Sequence, residues 1–167
     1  TGAWKDKHLP VASGEYALSA ISLLRGVAAG DPPLLGERTL IIGGGGVAFD
    51  AAGTARRLGV KEVHVTCVEP REGMPALEED IQQAEAEGVI LHNSRTVDRI
   101  LTEEGQVRGA ACRKVRTFGF DGGGRLQVET VPGTEQILQA DSIVLAIGAS
   151  PDFTFIESVK GFRFSQK

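Results

Sequence analysis

The spacing of hydrophobic positions changes twice between residues 38 and 68. An apolar run, Leu40–Ile42, predicts a buried strand, and four glycines at 43–46 follow it directly. Beyond the glycines, small and apolar residues recur at the helical spacing that places them on one face: Val47, Ala48, Ala51, Ala55 and Leu58. Residues 62–68 are rich in β-branched side chains and alternate in part, which predicts a second strand. Together these segments make a βαβ unit, whose two strands should lie parallel.

Helices are also predicted on both sides of this unit. Residues 15–29 carry an apolar stripe at helical spacing, and the glycine and prolines that follow stop the helix. Residues 75–87 predict a further helix, with Pro75 in its first turn and Gly88 at its end. The residues of this helix that are predicted to face inward are Leu77, Ile81 and Ala84. A short third strand is predicted at 89–92.

The pattern changes again after residue 95. The strand-like segments are residues 97–101, 107–117 and 126–131. Turn-forming residues at 103–105 and 121–124 separate them, which predicts an antiparallel meander. A last buried strand is predicted at 142–147. The predicted fold class is therefore α/β: a Rossmann-like parallel sheet with flanking helices and an appended antiparallel β-meander.

The glycines between the first strand and its helix match a nucleotide-binding pattern. The spacing Gly43-x-Gly45-x-x-Ala48 fits the dinucleotide fingerprint G-x-G-x-x-G/A. Gly43 lets the chain turn sharply, Gly45 lets the backbone approach a pyrophosphate, and Ala48 lets the helix pack closely on the strand. The helix start adds unpaired N–H groups and a positive dipole end. The predicted cofactor-binding residues of this segment are Gly43, Gly44, Gly45, Gly46, Val47 and Ala48, of which residues 43–47 would hold the pyrophosphate.

An acidic residue, Glu69, closes the second predicted strand, at the place where a dinucleotide fold faces the adenosine ribose. Its carboxylate can accept hydrogen bonds from the ribose 2′-OH and would repel a 2′-phosphate. Two like charges about 4 Å apart repel by roughly 1 kcal/mol in water and by roughly 4 kcal/mol at an effective dielectric of about 20. Glu69 therefore favours NAD(H) over NADP(H). Arg71 works against this prediction, because its guanidinium could reach a 2′-phosphate.

Composition argues against several other classes of function. A net charge of −4 and the lack of a basic stripe argue against nucleic acid and anionic membranes as partners. No apolar run reaches transmembrane length. The two cysteines, Cys67 and Cys112, form no C-x-x-C pair, so neither a redox dithiol nor a zinc ribbon is indicated, and no metal site is predicted. A reducing, cytoplasmic setting is expected.

Three segments point to one family. Residues 41–54 read I-I-G-G-G-G-V-A-F-D-A-A-G-T, residues 71–76 read R-E-G-M-P-A, and residues 146–152 read A-I-G-A-S-P-D. They resemble I-G-G-G-N-V-A-M-D-A-A-R-T, R-E-E-M-P-A and A-I-G-Q-x-P-D of the glutamate synthase small-subunit-like flavoproteins, within the pyridine nucleotide-disulfide oxidoreductase superfamily. The last segment ends the pyridine-nucleotide domain in that family, and the resemblance adds Gly148 to the cofactor-binding residues.

The resemblance implies a flavoprotein whose FAD domain is interrupted by an NAD(P)H domain, with hydride passing from nicotinamide to flavin. Residues 37–149 would be the NAD(P)H-binding domain, residues 1–36 a crossover segment and linker helix, and residues 150–167 a return segment. The implied partners are the FAD domain of the same polypeptide and a larger catalytic or iron–sulfur subunit. FAD would lie in the missing part of the parent protein, with iron–sulfur clusters in the parent or a partner. The chain alone is expected to be inactive, and no catalytic residue is assigned.

Departures from the family pattern bear on these expectations. Gly46 replaces an asparagine, and Gly73 replaces a glutamate. The segment at 67–69, C-V-E, stands where the family often has Y-R-R or similar, whose paired arginines suit a 2′-phosphate; this agrees with the NAD(H) prediction. Two alternatives stay open: a nucleotide-binding sensor without redox chemistry, and FAD at the same glycine loop. Ala48 and the helix before the fingerprint argue mildly against FAD.

Overall fold

The computed structural model describes residues 4–6, 9–123 and 125–151, with side chains over 9–123 and 125–149. In chain order its strands and helices are β1 (Trp4–Asp6), β2 (Leu18–Ser19), α1 (Ala20–Ala28), β3 (Arg38–Ile42), α2 (Gly46–Arg57), β4 (Glu62–Thr66), α3 (Glu78–Ala86), β5 (Ile90–His92), β6 (Arg95–Glu103), β7 (Gln106–Phe120), β8 (Leu126–Thr130), β9 (Gln136–Gln139), β10 (Ser142–Leu145) and β11 (Ala149–Pro151). No helix within these ranges is long and apolar enough to cross a membrane.

A five-stranded parallel sheet forms the centre of the structure, in the order β2-β10-β3-β4-β5. The βαβ unit predicted at 38–68 is therefore confirmed, with β3 and β4 parallel and adjacent. A second, antiparallel sheet holds β6, β7 and β8, and β9 also pairs with β7. Strands β1 and β11 form a separate antiparallel ribbon. The predicted fold class, a parallel sheet with flanking helices and an appended meander, is confirmed.

The parallel sheet separates two hydrophobic cores. On one face, Ile41 and Val65 pack with the buried residues of all three helices. On the other face, Leu40 and Ile42 pack against the antiparallel sheet, where Cys112 is fully buried. Because successive strand residues point to opposite faces, the continuous apolar run of β3 supplies both cores at once. The meander therefore covers one face of the sheet and the helices cover the other.

The helix predicted at 15–29 begins later than expected. The structure has a 3₁₀ turn at Gly14–Tyr16, then strand β2, and α1 starts only at Ala20. Pairing of β2 with β10 takes the residues before the helix into the sheet, which overrides their helical spacing. The side chain of Ser19 then caps α1 by accepting a hydrogen bond from the backbone N–H of Ser22.

The helix predicted at 75–87 also begins later, at Glu78, so Pro75 is not in its first turn. Ile81 and Ala84 face inward as predicted, but Leu77 is 69% exposed, because it lies at the N-cap and not inside the helix. The residues before α3 are held elsewhere: the backbone N–H of Ala76 donates to the carbonyl of Gly44 at 3.2 Å. That contact fixes this loop against the glycine segment.

Two further corrections concern the sheet edges and α2. Strand β9 was not predicted; it pairs with residues 109–112 of β7 although its own residues alternate only briefly.

On α2 the alanines are buried as expected, but Val47 and Leu58, at its two ends, are more than a third exposed. Helix termini lie at the rim of the core, so their side chains reach solvent even when they share the apolar face.

The predicted segment boundaries at 36 and 150 stay a prediction. Within 9–36, β2 joins the parallel sheet, and Leu23 of α1 is fully buried in the helical core. The predicted return segment, 150–167, lies outside the described residues beyond position 151, as do the first three residues.

A pair of histidines joins the neighbouring strands β4 and β5. His64 Nδ1 and His92 Nε2 lie 3.0 Å apart, and their rings stack with centroids 5.2 Å apart. Burial, followed by the nearby charges of His64 and Arg95, lowers the pKa of His92 from 6.5 to about 4. His92 is therefore neutral in the folded protein at pH 7.

Lowering the pH from 6.5 towards 4 is expected to destabilise the fold through His92. In that window the unfolded chain, with a histidine pKa of about 6.5, binds a proton that the folded protein does not, so the free energy of unfolding falls. The loss should be about 1–2 kcal/mol, because the ring is only half-buried and solvent screens part of the effect. Urea unfolding at pH 7.5 and 4.5 measures it, and His92→Gln should lose less. Equal losses in the two proteins would contradict the assignment.

Candidate functional site

The glycine segment begins where β3 ends and is tied to both neighbouring strands. The backbone N–H of Gly43 donates to the carbonyl of Thr66 on β4 at 2.9 Å. The φ angle of Gly43 is 140°, and a Cβ placed there would lie 2.4 Å from the carbonyl oxygen of Ala146, just beyond β10. Only glycine fits this position, because it has neither the side chain nor the conformational restriction of other residues.

The last two glycines of the segment, Gly45 and Gly46, have open space beside them. Gly45 is the N-cap of α2, with extended backbone angles and no side-chain cap for the helix. A Cβ added to Gly45 or Gly46 would meet nothing within 4 Å. Val47 is 43% exposed in the first turn, whereas Ala48 is fully buried against the core. The backbone N–H of Ala48 donates to the carbonyl of Gly45 at 2.9 Å. The N–H groups of Gly46 and Val47 precede it, and a helix start without a side-chain cap and with clear space before it is suited to an anion.

Glu69 lies directly beside this segment. It is half-buried in the loop after β4, and its Oε2 lies 3.0 Å from the position that a Cβ on Gly44 would take. The structure therefore brings the predicted ribose-binding carboxylate against the predicted pyrophosphate-binding glycines. Gly148, with a φ of 87°, lies shortly after β10. Ala146, the first residue after β10, donates its backbone N–H to the carbonyl of Ile42 on β3 at 2.8 Å. The ends of β3, β4 and β10 thus meet at one edge of the sheet.

The floor of the site contains residues that sequence reasoning missed. Cys67 is buried, and its Sγ lies 3.3 Å from the position of a Cβ on Gly44. The side-chain amide of Asn93 donates to Met74 Sδ at 2.9 Å and to Cys67 Sγ at 3.5 Å. Burial, and then the charge of Glu69, raise the pKa of Cys67 to about 12, so its thiol stays protonated and acts as a packing group. The R-E-G-M-P-A segment was the available signal for Met74, but nothing marked Asn93.

Arg71 does not point freely into the site. Its Nη1 donates to Glu78 Oε2 at 2.7 Å, and its Nη2 donates to Glu78 Oε1 at 2.9 Å and to Glu85 Oε2 at 3.1 Å. The hydrogen bonds and charges of these two glutamates raise the pKa of Arg71, and Arg71 lowers the pKa of Glu78. The sequence left the cofactor preference open, because Glu69 and Arg71 favour different nucleotides. In the structure the two side chains have different surroundings: Glu69 lies at the glycines, and Arg71 is bound to α3.

Comparison with known families agrees with this geometry. The family model described as pyridine nucleotide-disulphide oxidoreductase matches residues 1–165. This chain belongs to that family. The resemblance drawn from the glycine segment, the R-E-G-M-P-A segment and the strand end at 146–152 is thereby confirmed.

Relatives within the family are longer proteins. The NADP(+)-dependent formate dehydrogenase subunit beta of Moorella thermoacetica is 38% identical over 126 residues, which are 75% of this chain and 18% of that protein. The glutamate synthase (NADPH) small chain of Escherichia coli (strain K12) is 34% identical over 119 residues, which are 70% of this chain and 25% of that protein. The matched region therefore spans a quarter or less of either relative.

Solved structures show the same fold. The thioredoxin reductase of T. acidophilum superposes with a TM-score of 0.65 at 19% identity, covering 92% of this chain and 44% of that chain. The Lactococcus lactis thioredoxin reductase gives a TM-score of 0.65 at 16% identity, covering 95% of this chain and 46% of that chain. At these identities the likeness concerns architecture, and it supports the predicted α/β class.

Proposed function

We propose that this chain is the pyridine-nucleotide-binding domain of a larger flavoprotein oxidoreductase, and that it presents NAD(P)H, with NADH favoured, for hydride transfer to FAD. The observation that carries the proposal is the clear space before Gly45 and Gly46 at the uncapped start of α2. A pyrophosphate placed there would receive backbone N–H hydrogen bonds and the positive end of the helix dipole. Membership of the family supplies the redox class.

Each residue of the site would have a separate binding role. The glycines and Val47 would hold the pyrophosphate, and Glu69 would accept hydrogen bonds from the adenosine ribose. Gly148, after β10, would border the cofactor at the same sheet edge. When bound, the dinucleotide would supply a hydride from nicotinamide C4 to flavin N5. The protein's contribution is therefore position and orientation, and no side chain is assigned as an acid or base.

The preference for NADH rests on the position of Glu69. Its carboxylate lies against Gly44, so a 2′-phosphate on a ribose held there would meet a like charge at short range. The two relatives described above are named for NADP(+) and NADPH. We therefore expect the preference to be a property of Glu69 in this chain and not of the whole family.

Glu69→Gln is expected to shift the cofactor preference towards NADPH. Removing the like charge should raise NADPH affinity at least about fivefold, the lower limit set by two charges about 4 Å apart in water. NADH affinity should fall, because a neutral amide accepts weaker hydrogen bonds from the ribose hydroxyls than a carboxylate does. Isothermal titration calorimetry of the purified protein with each nucleotide measures both changes.

Glu72→Gln is the matched control, because it removes the same charge from the same loop at an exposed position. Its ratio of NADH to NADPH affinity should stay close to that of the wild type. Equal affinities in the wild type, or a preference for NADPH that Glu69→Gln leaves unchanged, would overturn the role of Glu69.

The wider proposal places an FAD domain on the same polypeptide, joined through residues 1–36 and 150–167, with residues 37–149 as the nucleotide domain. The proposed partners also include an iron–sulfur or larger catalytic subunit. Adding NADH to the full-length protein without oxygen should bleach its flavin absorbance. A full-length protein that binds NADH but contains no flavin would instead favour the sensor alternative.

A further inference from the structure

We propose that Glu78 and Glu85 are specificity-determining residues that hold Arg71 on α3, and so prevent its guanidinium from binding a 2′-phosphate. The inference rests on the proposed function, since it concerns the adenosine side of the same nucleotide site. It assigns the discrimination between NADH and NADPH to two parts: repulsion by Glu69, and withdrawal of the neighbouring cation by α3.

The contacts of Arg71 occupy its hydrogen-bonding fork. Both terminal nitrogens donate to Glu78, at 2.7 and 2.9 Å, which is the bidentate geometry that guanidinium groups also use for phosphate. Glu85 takes a further hydrogen bond from Nη2 at 3.1 Å. Gln82 donates to Glu78 Oε1 at 2.8 Å and so fixes the first carboxylate on the helix surface. An arginine bound in this way cannot offer the same fork to a ligand.

Arg71 is the one cation of its own loop. Arg71 is the only lysine or arginine between residues 62 and 94, a stretch that contains eight acidic residues. The loop at 67–77 therefore carries Glu69 and Glu72 against the single positive charge of Arg71. While α3 neutralises that charge, the remaining charged side chains of the loop, Glu69 and Glu72, would repel a 2′-phosphate. If Arg71 is released, one strong phosphate-binding group becomes available two residues from Glu69.

Removing these ion pairs should change how the protein binds a ligand without unfolding it. The side chains of Arg71, Glu78 and Glu85 are 30%, 59% and 44% exposed. Ion pairs at such positions contribute little to folding because water screens them. A phosphate carries about two negative charges, so it would bind strongly to a guanidinium that no carboxylate holds.

The double variant Glu78→Gln/Glu85→Gln tests the proposal. We expect NADPH affinity to rise about threefold to thirtyfold, the range expected from releasing surface ion pairs, with NADH affinity nearly unchanged. Adding Arg71→Met to the double variant should remove the gain. Calorimetric titrations of the purified proteins with NADPH and NADH measure both affinities, and urea unfolding checks that the variants are folded.

The control Glu79→Gln/Glu87→Gln makes the same charge change on α3 and at its C-cap, at residues that do not contact Arg71 in the structure, and it should leave the affinity ratio unchanged. The proposal is overturned if the double variant changes both affinities equally or neither, if the control reproduces the gain, or if Arg71→Met alone weakens NADPH binding in the wild type. A wild type that binds neither nucleotide would instead contradict the proposed function itself.

Discussion

Replacing Gly45 with leucine is expected to abolish nucleotide binding and leave the fold intact. The backbone angles of Gly45 are extended, with φ of −91° and ψ of 172°, so leucine can adopt them without strain. Its Cβ would enter open space, so no packing contact is lost. The side chain would fill the volume before the α2 N-terminus where the pyrophosphate is proposed to lie. Affinity for NADH should fall more than about a hundredfold, equivalent to about 3 kcal/mol.

Calorimetry gives the affinity of this variant, and urea unfolding gives its stability. Gly119→Leu is the control, because Gly119 on β7 also has open space at its Cβ position but lies outside the glycine segment. It should bind NADH as the wild type does. If Gly45→Leu retains wild-type affinity, the pyrophosphate is not held at α2.

Replacing Gly43 with alanine is expected to have the opposite effect, a loss of stability. The new Cβ would lie 2.4 Å from the carbonyl oxygen of Ala146, closer than real contacts allow, at a φ of 140° that side chains rarely adopt. Relieving the clash requires β3 and β10 to move apart at the centre of the sheet. The free energy of unfolding should fall by more than about 2 kcal/mol, a size that strain at a special φ combined with overpacking commonly reaches.

Gly46→Ala separates this effect from the general consequence of losing a glycine. Gly46 opens α2 with an unobstructed Cβ position, so alanine should change stability by less than about 1 kcal/mol, and in the stabilising direction. Urea unfolding of the two variants at pH 7 makes the comparison. A Gly43→Ala protein as stable as Gly46→Ala would show that the close approach to Ala146 does not constrain the turn.

Gly43 and Gly45 illustrate what the fingerprint could and could not predict. The pattern assigned a sharp turn to Gly43 and an open approach to Gly45, and their positions in the structure agree with both assignments. The pattern contains no partner for the turn, however, because Ala146 lies about a hundred residues later and is brought there only by the pairing of β10 with β3. Gly46 remains unexplained by the backbone, since neither its angles nor its surroundings require glycine.

Local spacing predicted the central strands β3 and β10 well because they are buried almost throughout and are followed by glycines. It failed where a distant strand decides the conformation: Leu18 and Ser19 follow a helical pattern but pair with β10, and β9 is a strand only because β7 lies beside it. Such pairings depend on tertiary contacts that no short window of sequence contains.

The proposed cofactor preference shows the same limit of sequence-based prediction. In the sequence, Glu69 favours NAD(H) and Arg71 favours NADP(H), because two residues of opposite charge stand two positions apart. The structure adds that α3 holds Arg71 through carboxylates seven and fourteen residues later. Helical spacing places Glu78 and Glu85 on one side of α3, but only the folded loop shows that Arg71 reaches them.

The central claim, that a pyridine nucleotide binds at the glycine segment, is tested most directly by mapping NADH onto the backbone of the isotope-labelled protein by amide NMR. We predict saturable shifts that are largest for the amides at 44–48 and for Glu69, with NADPH needing higher concentrations and FAD failing to displace NADH. The absence of saturable shifts in the glycine segment, or the same shifts produced more readily by FAD, would contradict the claim.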